Sequence, residues 1–361
     1  CVCENMVVYL RSSWVSGWLP SWCPTSPTRL KNAEDRILQR ESVWENVWYG
    51  MVLWDLSPLC SRDWLAPRDE DSKIPLVLLH GFGGGVGLWV KNLTALAQSK
   101  RPVYALDLLG FGRSSRTTAR SYSQEAEEQF IQSLEEWRKA VGVELMILLG
   151  HDLGGYVSVA YALTYPHRSV SHLVLVEPWG FPERPDAQGS DCQVPMWIKA
   201  LGTALNPFNP LALLRMAGPL GNYGLRSDFK QKYSSLFQDD TVPDYIYHLN
   251  VQTPSGETAF KSMTIPYGWP RRPMMQRVGR INPMIPISII CGSRSCIDGQ
   301  SGQAIREMRP NSRTDIIIIG GAGHYVFADQ SEDFNQAVLE ICGDVKDGEE
   351  AAECRKIKRT E

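Results

Sequence analysis

Leu145-Met146-Ile147-Leu148-Leu149-Gly150-His151-Asp152-Leu153-Gly154-Gly155 is the stretch on which the reading of this chain turns. Five uninterrupted apolar residues suit a short strand covered on both faces. The glycines that follow frame a sharp strand-to-helix turn, where neighbouring backbone comes too close for a β-carbon. Such a turn holds its apical side chain out over the end of the sheet. A serine hydrolase carries its nucleophile at that apex; this chain carries Asp152. The G-x-x-x-G spacing alone is weak evidence, so its surroundings must decide.

Working outward, apolar runs at 75–79, 102–106, 172–176, 286–290 and 315–319 repeat the strand pattern. Between the second strand and the elbow, Phe130, Leu134, Trp137 and Val141 recur at helical spacing over 123–142. Strands alternating with helices predict a mostly parallel, doubly wound α/β sheet. His80-Gly81-Phe82-Gly83-Gly84-Gly85 sits one strand earlier, where an oxyanion loop belongs, and Asp107 to Ser114 supplies the next turn. Together these predict an α/β-hydrolase fold with Phe82 and Leu153 as the backbone donors of the hole. The stretch from Phe181 to Met284 breaks the rhythm with prolines, aromatics and helical fragments such as 194–205. It reads as a helical cap inserted over the carboxyl edge, where ligands bind in open α/β sheets. The expected organisation is a tryptophan-rich segment at 1–40 (with a helical run over 30–39), an atypical segment without alternation at 41–72, core at 73–181, cap at 182–284, core again at 285–345, and a charged tail at 346–361.

Triad partners follow the nucleophile in the order acid, then histidine. Asp298 and His324 follow the last two apolar runs and fit those roles, while His80 and His151 read as structural. Asp152 changes what such a triad can do. A carboxylate attacking an ester forms a mixed anhydride, which returns to substrate because a carboxylate leaves far more readily than an alkoxide. Leaving-group pKa values of about 4 and about 15.7 differ by roughly 12 units, or about 16 kcal/mol. Attack on saturated carbon avoids this, so an epoxide-hydrolase or haloalkane-dehalogenase reading through Asp152, Asp298 and His324 stands as the alternative. Two things count against it: Gly83 stands where that group places a proline, and its two substrate-facing tyrosines would have to be Tyr245 and Tyr247.

Composition narrows the field. The 361 residues are 43% hydrophobic with a formal charge of −3, enough for one large core, and no basic stripe suggests nucleic acid. No run of 18 apolar residues suggests a membrane span. Nine scattered cysteines read as reduced thiols, without a spacing for metal. A chain beginning at Cys1 reads as a fragment or gene-model product.

The whole pattern resembles the abhydrolase domain-containing protein 5 family, the co-activators of adipose triglyceride lipase. The likeness runs from Trp14 through Glu34 and resumes from Pro75 to Cys342. It is most specific at His80 to Gly85, Asp107 to Ser115, Val176 to Pro185, Asn250 to Thr258, Ser295 to Gly299 and Gly321 to Val326. Asp152 departs from the asparagine that the family carries in place of serine, and 41–72 departs where the family supplies its first strands.

The resemblance implies a cytoplasmic and lipid-droplet protein without serine-esterase activity or a required cofactor. Its partners would be the lipase, the droplet surface and droplet coat proteins. It also implies a coenzyme A-dependent lysophosphatidic acid acyltransferase with acyl-CoA as co-substrate, tied to the H-x4-D motif His324 to Asp329. The plainer reading of Asp329 is a capping box with Glu332 opening the last helix. Droplet binding would fall to Trp14, Trp18 and Trp22, spaced every fourth residue. Half-burying all three supplies on the order of 6–9 kcal/mol before ordering costs. Arg294 and Gly323, on loops after late strands, would engage the lipase.

Overall fold

The computed structural model describes residues 23–39, 47–51, 73–116, 123–165, 169–184, 211–218, 228–295 and 300–345. The expected helix at 194–205, Trp14, Trp18, Trp22, Asp298 and the charged tail lie outside them.

Seven strands form one sheet: β1 (Val47–Met51), β2 (Leu76–Leu79), β3 (Val103–Asp107), β4 (Met146–His151), β5 (Val170–Val176), β8 (Ile287–Gly292) and β9 (Thr314–Ile319). A two-stranded antiparallel pair, β6 (Thr264–Ile265) with β7 (Trp269–Pro270), stands apart. The order in the large sheet is β1-β3-β2-β4-β5-β8-β9, and every pairing is parallel. The chain steps outward from β2 to β3, then crosses back to β4 on the other side. That reversal puts α2 (Val90–Ala97) on one face and α3 (Ser123–Val141) on the other.

Alternate residues of each strand therefore serve different cores. Val77, Leu79, Tyr104 and Leu106 pack with α3, α4 (Leu153–Thr164) and α7 (Ser255–Met263). Leu76, Leu78, Val103 and Ala105 pack instead with α1 (Pro27–Leu38), α2, α6 (Thr241–Asn250) and α10 (Ser331–Asp344). Burial on both sides is why the strands read as unbroken apolar runs.

Within the 41–72 stretch, Val47–Met51 supplies the edge strand β1, in register with β3 from Val47↔Val103 to Met51↔Asp107. Apolar and aromatic residues mark it, yet it has no alternation to announce it.

The segment between β5 and β8 contributes the short helix α5 (Ala212–Ala217), α6 and α7 among the described residues. Helix α1 begins at Pro27, with Ser26 accepting the Arg29 N–H at 3.1 Å as an N-cap. Leu30, Ala33, Ile37 and Leu38 form its buried stripe, facing α6. Burial of its three large side chains contributes roughly 4–9 kcal/mol before ordering costs. Glu34 on the same helix pairs with Arg113 in the turn after β3 at 2.9 Å.

Candidate functional site

Parallel strands bring their carboxyl ends to one edge, so the loops after β2, β4, β5, β8 and β9 meet there. Asp152 follows β4 with φ +50° and ψ −115°, a region a non-glycine residue adopts only under constraint. The constraint is backbone. The Asp152 N–H donates to Val176 O at 3.0 Å, and its carbonyl accepts from Trp179 N at 3.2 Å. A β-carbon on Gly150 would collide with the Gly154 carbonyl, and one on Gly154 would lie 2.5 Å from Leu79 O. The elbow expected from sequence is formed.

One of the two expected hole donors turns to Asp152 itself: Phe82 N–H donates to Asp152 Oδ2 at 2.8 Å. Burial pushes the Asp152 carboxyl above its ordinary value, opposed first by His324 and then by the backbone N–H groups of Phe82 and Leu153.

His80 and His151 brace the site. Leu108 N–H donates to His80 Nε2 at 2.9 Å, so Nδ1 carries the proton and donates to Gly81 O at 2.7 Å. His151 Nε2 donates to the His324 carbonyl at 3.0 Å. Burial lowers both imidazoles, so both are neutral. Asp107 accepts from Val86 N at 3.0 Å and Arg113 N at 2.8 Å, pinning the far side of the oxyanion loop.

His324 is partly exposed, with Nδ1 3.8 Å from Glu177 Oε2, an ion-pair rather than a hydrogen-bond distance. Burial would lower this imidazole. Glu177 and Asp152 outweigh it, and the net shift is upward. Glu177 was not singled out by the sequence reading. It follows β5 directly, adopts φ +45° and is fully buried. Gly292 N–H donates to it at 2.6 Å, and Ser295 Oγ–H donates to its other oxygen. Its one sequence signal is a carboxylate placed directly after an apolar strand, at the edge where Asp152 and His324 stand.

The loop after β9 is fastened by Asp329, in the short helix α9 (Val326–Asp329). Gly323 N–H donates to Asp329 Oδ2 and Lys232 Nζ to Oδ1, each at 2.9 Å. This corrects the capping-box expectation: α10 is preceded by Gln330, and no side chain caps it. Lys232 comes from the segment between β5 and β8, and also lies 5.7 Å from the Tyr325 ring centroid. Arg294 is exposed and pairs with no carboxylate among the described residues, while its N–H donates to Ala322 O at 2.9 Å. The loops of Arg294 and Gly323 are therefore adjacent.

Tyr245 and Tyr247 do not serve the elbow. Tyr245 is fully buried and accepts the Gly87 N–H at 3.1 Å, and Tyr247 lies beside Cys23. A cavity of about 440 Å³ opens between α3 and α4, away from the elbow. Two of its arginines, Arg272 and Arg277, are already paired with Glu127 at 3.3 and 2.7 Å. Among the described residues no group of three metal-binding side chains occurs, and no helix is long and apolar enough to cross a membrane.

Comparison with known proteins agrees with this geometry. A family model described as the alpha/beta hydrolase fold matches residues 74–331. The chain is 57% identical over 345 residues to the human protein named 1-acylglycerol-3-phosphate O-acyltransferase ABHD5, covering 93% of this chain and 95% of that one. It is 46% identical over 339 residues to the human (Lyso)-N-acylphosphatidylethanolamine lipase, covering 92% and 96%. Among solved structures, a bromoperoxidase from Bacillus anthracis superposes with a TM-score of 0.56 at 20% identity, covering 76% of this chain and 93% of that one. Carboxylesterase CesB from Bacillus subtilis gives 0.55 at 20% identity, covering 88% and 98%.

Proposed function

Because the chain belongs to the α/β-hydrolase-fold family and, within it, to the ABHD5 family, we propose that it serves lipid metabolism as a regulator rather than as an esterase. In this reading it works in the cytoplasm and at the lipid-droplet surface, and co-activates adipose triglyceride lipase. The observation that carries it is the occupied oxyanion loop. The Phe82 N–H, one of the two donors that would stabilise a substrate oxyanion, is bonded to the Asp152 carboxylate, and such donors account for much of an esterase's rate. The leaving-group argument acts in the same direction. What remains functional is the surface around the site. Arg294, exposed and unpaired among the described residues, offers a planar cation for a partner's carboxylate or carbonyl, and the Gly323 loop lies next to it. Trp14, Trp18 and Trp22 would supply the droplet anchor.

The test is triglyceride hydrolysis on droplets with this protein and the lipase, separately and together. Alone it should give no activity above background, and together it should raise the lipase rate severalfold. Arg294→Asn with Gly323→Ser should lose that stimulation while keeping droplet binding and melting temperature. Robust ester hydrolysis by the protein alone, or full stimulation by the double variant, would overturn the reading.

A second reading comes from the name carried by the ABHD5 relatives: transfer of an acyl group from acyl-CoA to a lysophosphatidic acid hydroxyl. His324 would deprotonate the acceptor. Asp329, bonded to Lys232 and the Gly323 N–H, would hold the loop rather than orient the substrate.

A further inference from the structure

We propose that the elbow retains nucleophilic chemistry at saturated carbon, opening the epoxide of an uncharged long-chain lipid through Asp152 and hydrolysing the resulting ester with His324. The hole is wrongly filled for a bound ester, but it is correctly filled for an ester of Asp152 itself. With Oδ2 held by the Phe82 N–H, the other carboxylate oxygen is the one left to attack. Once that oxygen is alkylated, Oδ2 becomes the carbonyl oxygen of the ester. It already lies where a tetrahedral oxyanion would be stabilised. His324 stands on the loop that faces the elbow, close enough for the Asp152 charge to act on it, and Glu177 lies 3.8 Å from its Nδ1, itself held by Gly292 and Ser295. Glu177 is thus a positioning residue.

The substrate class follows from the wall next to the elbow. Phe82 packs on Phe260 with centroids 4.5 Å apart, and Trp179 packs on Phe260 at 4.7 Å. Trp179 donates its Nε1–H to Gly268 O at 2.9 Å. These rings present an apolar surface suited to an alkyl chain. With Tyr245 bonded to Gly87 and Tyr247 beside Cys23, the proton for the ring oxygen comes in this proposal from His324, whose charged form is favoured by Glu177 and Asp152.

The steps balance as follows. A carboxylate oxygen of Asp152 forms a bond to one epoxide carbon, the ring C–O bond breaks, and the ring oxygen takes a proton from the His324 imidazolium. Neutral His324 then removes a proton from water, and the hydroxide adds to Cγ of Asp152, placing the negative charge on Oδ2. Collapse breaks the ester bond, and the departing alkoxide takes the proton of the newly formed carboxylic acid. Carboxylate and imidazolium are restored. Water and epoxide have become a vicinal diol, and one carboxylate oxygen now comes from water.

The experiment uses the full chain in excess over a terminal twelve-carbon epoxide, dodecene oxide, in heavy-oxygen water. The first turnover should give diol carrying an ordinary oxygen at the attacked carbon, while the peptide containing Asp152 gains two mass units. Asp152→Asn should form no diol beyond the protein-free rate. His324→Gln should slow diol formation by roughly a hundredfold or more, and melting curves report whether both variants fold. Heavy oxygen in the first diol with an unlabelled Asp152 peptide would make water the attacker and overturn the proposal. So would wild-type diol formation no faster than that of folded Asp152→Asn. No lipase is present, so failure here leaves the co-activation reading standing, and failure of co-activation leaves this one standing.

Discussion

The elbow between β4 and α4 is held by backbone alone, whereas the facing loop that carries His324 adds to its main-chain contacts with the loop after β8 side chains arriving from far along the chain. At the elbow, glycine-to-backbone approaches and two main-chain hydrogen bonds leave Asp152 one conformation. Across the site, Lys232, Glu177 and His151 each reach the His324 loop from a separate segment. The first kind of construction fails all at once when crowded. The second loosens one contact at a time.

Gly150→Val puts the largest strain on this contrast. Its side chain must displace the Gly154 carbonyl, and backbone has little freedom to move. The expected destabilisation lies at or above the top of the usual overpacking range of about 1–3 kcal/mol. Urea denaturation would measure it, and a loss under about 1 kcal/mol would mean that the elbow is as yielding as the loop opposite.

Lys232→Met should have a smaller effect. It removes one of two donors to Asp329 from a site that is mostly buried, with side chains 18% and 11% exposed. An expected loss of roughly 1–2 kcal/mol corresponds to one unsatisfied acceptor. A double-mutant cycle with Asp329→Asn checks it. Absence of coupling would show that the loop is held by other contacts.

Glu177→Gln sharpens the comparison with the smallest expected effect on stability. The folded His324 pKa is raised above 6.5. Its contribution is therefore fully present below pH 6.5 and is lost as pH rises through the folded value. Removing the Glu177 charge should lower that pKa, because Glu177 is one of the groups that raise it. An NMR titration of the His324 ring measures it directly. Melting curves alone would mislead, since buried His80, His151 and His172 are shifted downward and act with the opposite sign. An unmoved His324 pKa in the variant would remove Glu177 from the pair.

The same contrast explains what could be read from sequence. The strands, helix α3 and the elbow are local patterns, written in apolar runs and glycine spacing, and they stand where those patterns put them. The edge strand β1 was illegible because it has no alternation. Glu177 was passed over because strand ends commonly carry carboxylates, and only folding shows that it faces His324. Asp329 was assigned to the wrong partner for a related reason. A residue a few positions ahead of a helix suggests a cap, while Lys232 lies 97 residues away. That Phe82 and Leu153 would flank the elbow was legible. That Asp152 would take up the Phe82 donor required the geometry of a carboxylate on that turn.

Docking of α1 also sets a mechanical limit on the whole molecule. The helix is seated by its buried stripe and by the Glu34–Arg113 pair, so its first residue, Pro27, is a fixed attachment point on the body. Trp14 is 13 residues earlier in the chain, and a fully extended chain of that length reaches about 45 Å. Under the proposed anchoring, no surface that holds Trp14 can lie farther from Pro27 than that length, so chain length alone bounds how far the body stands from it.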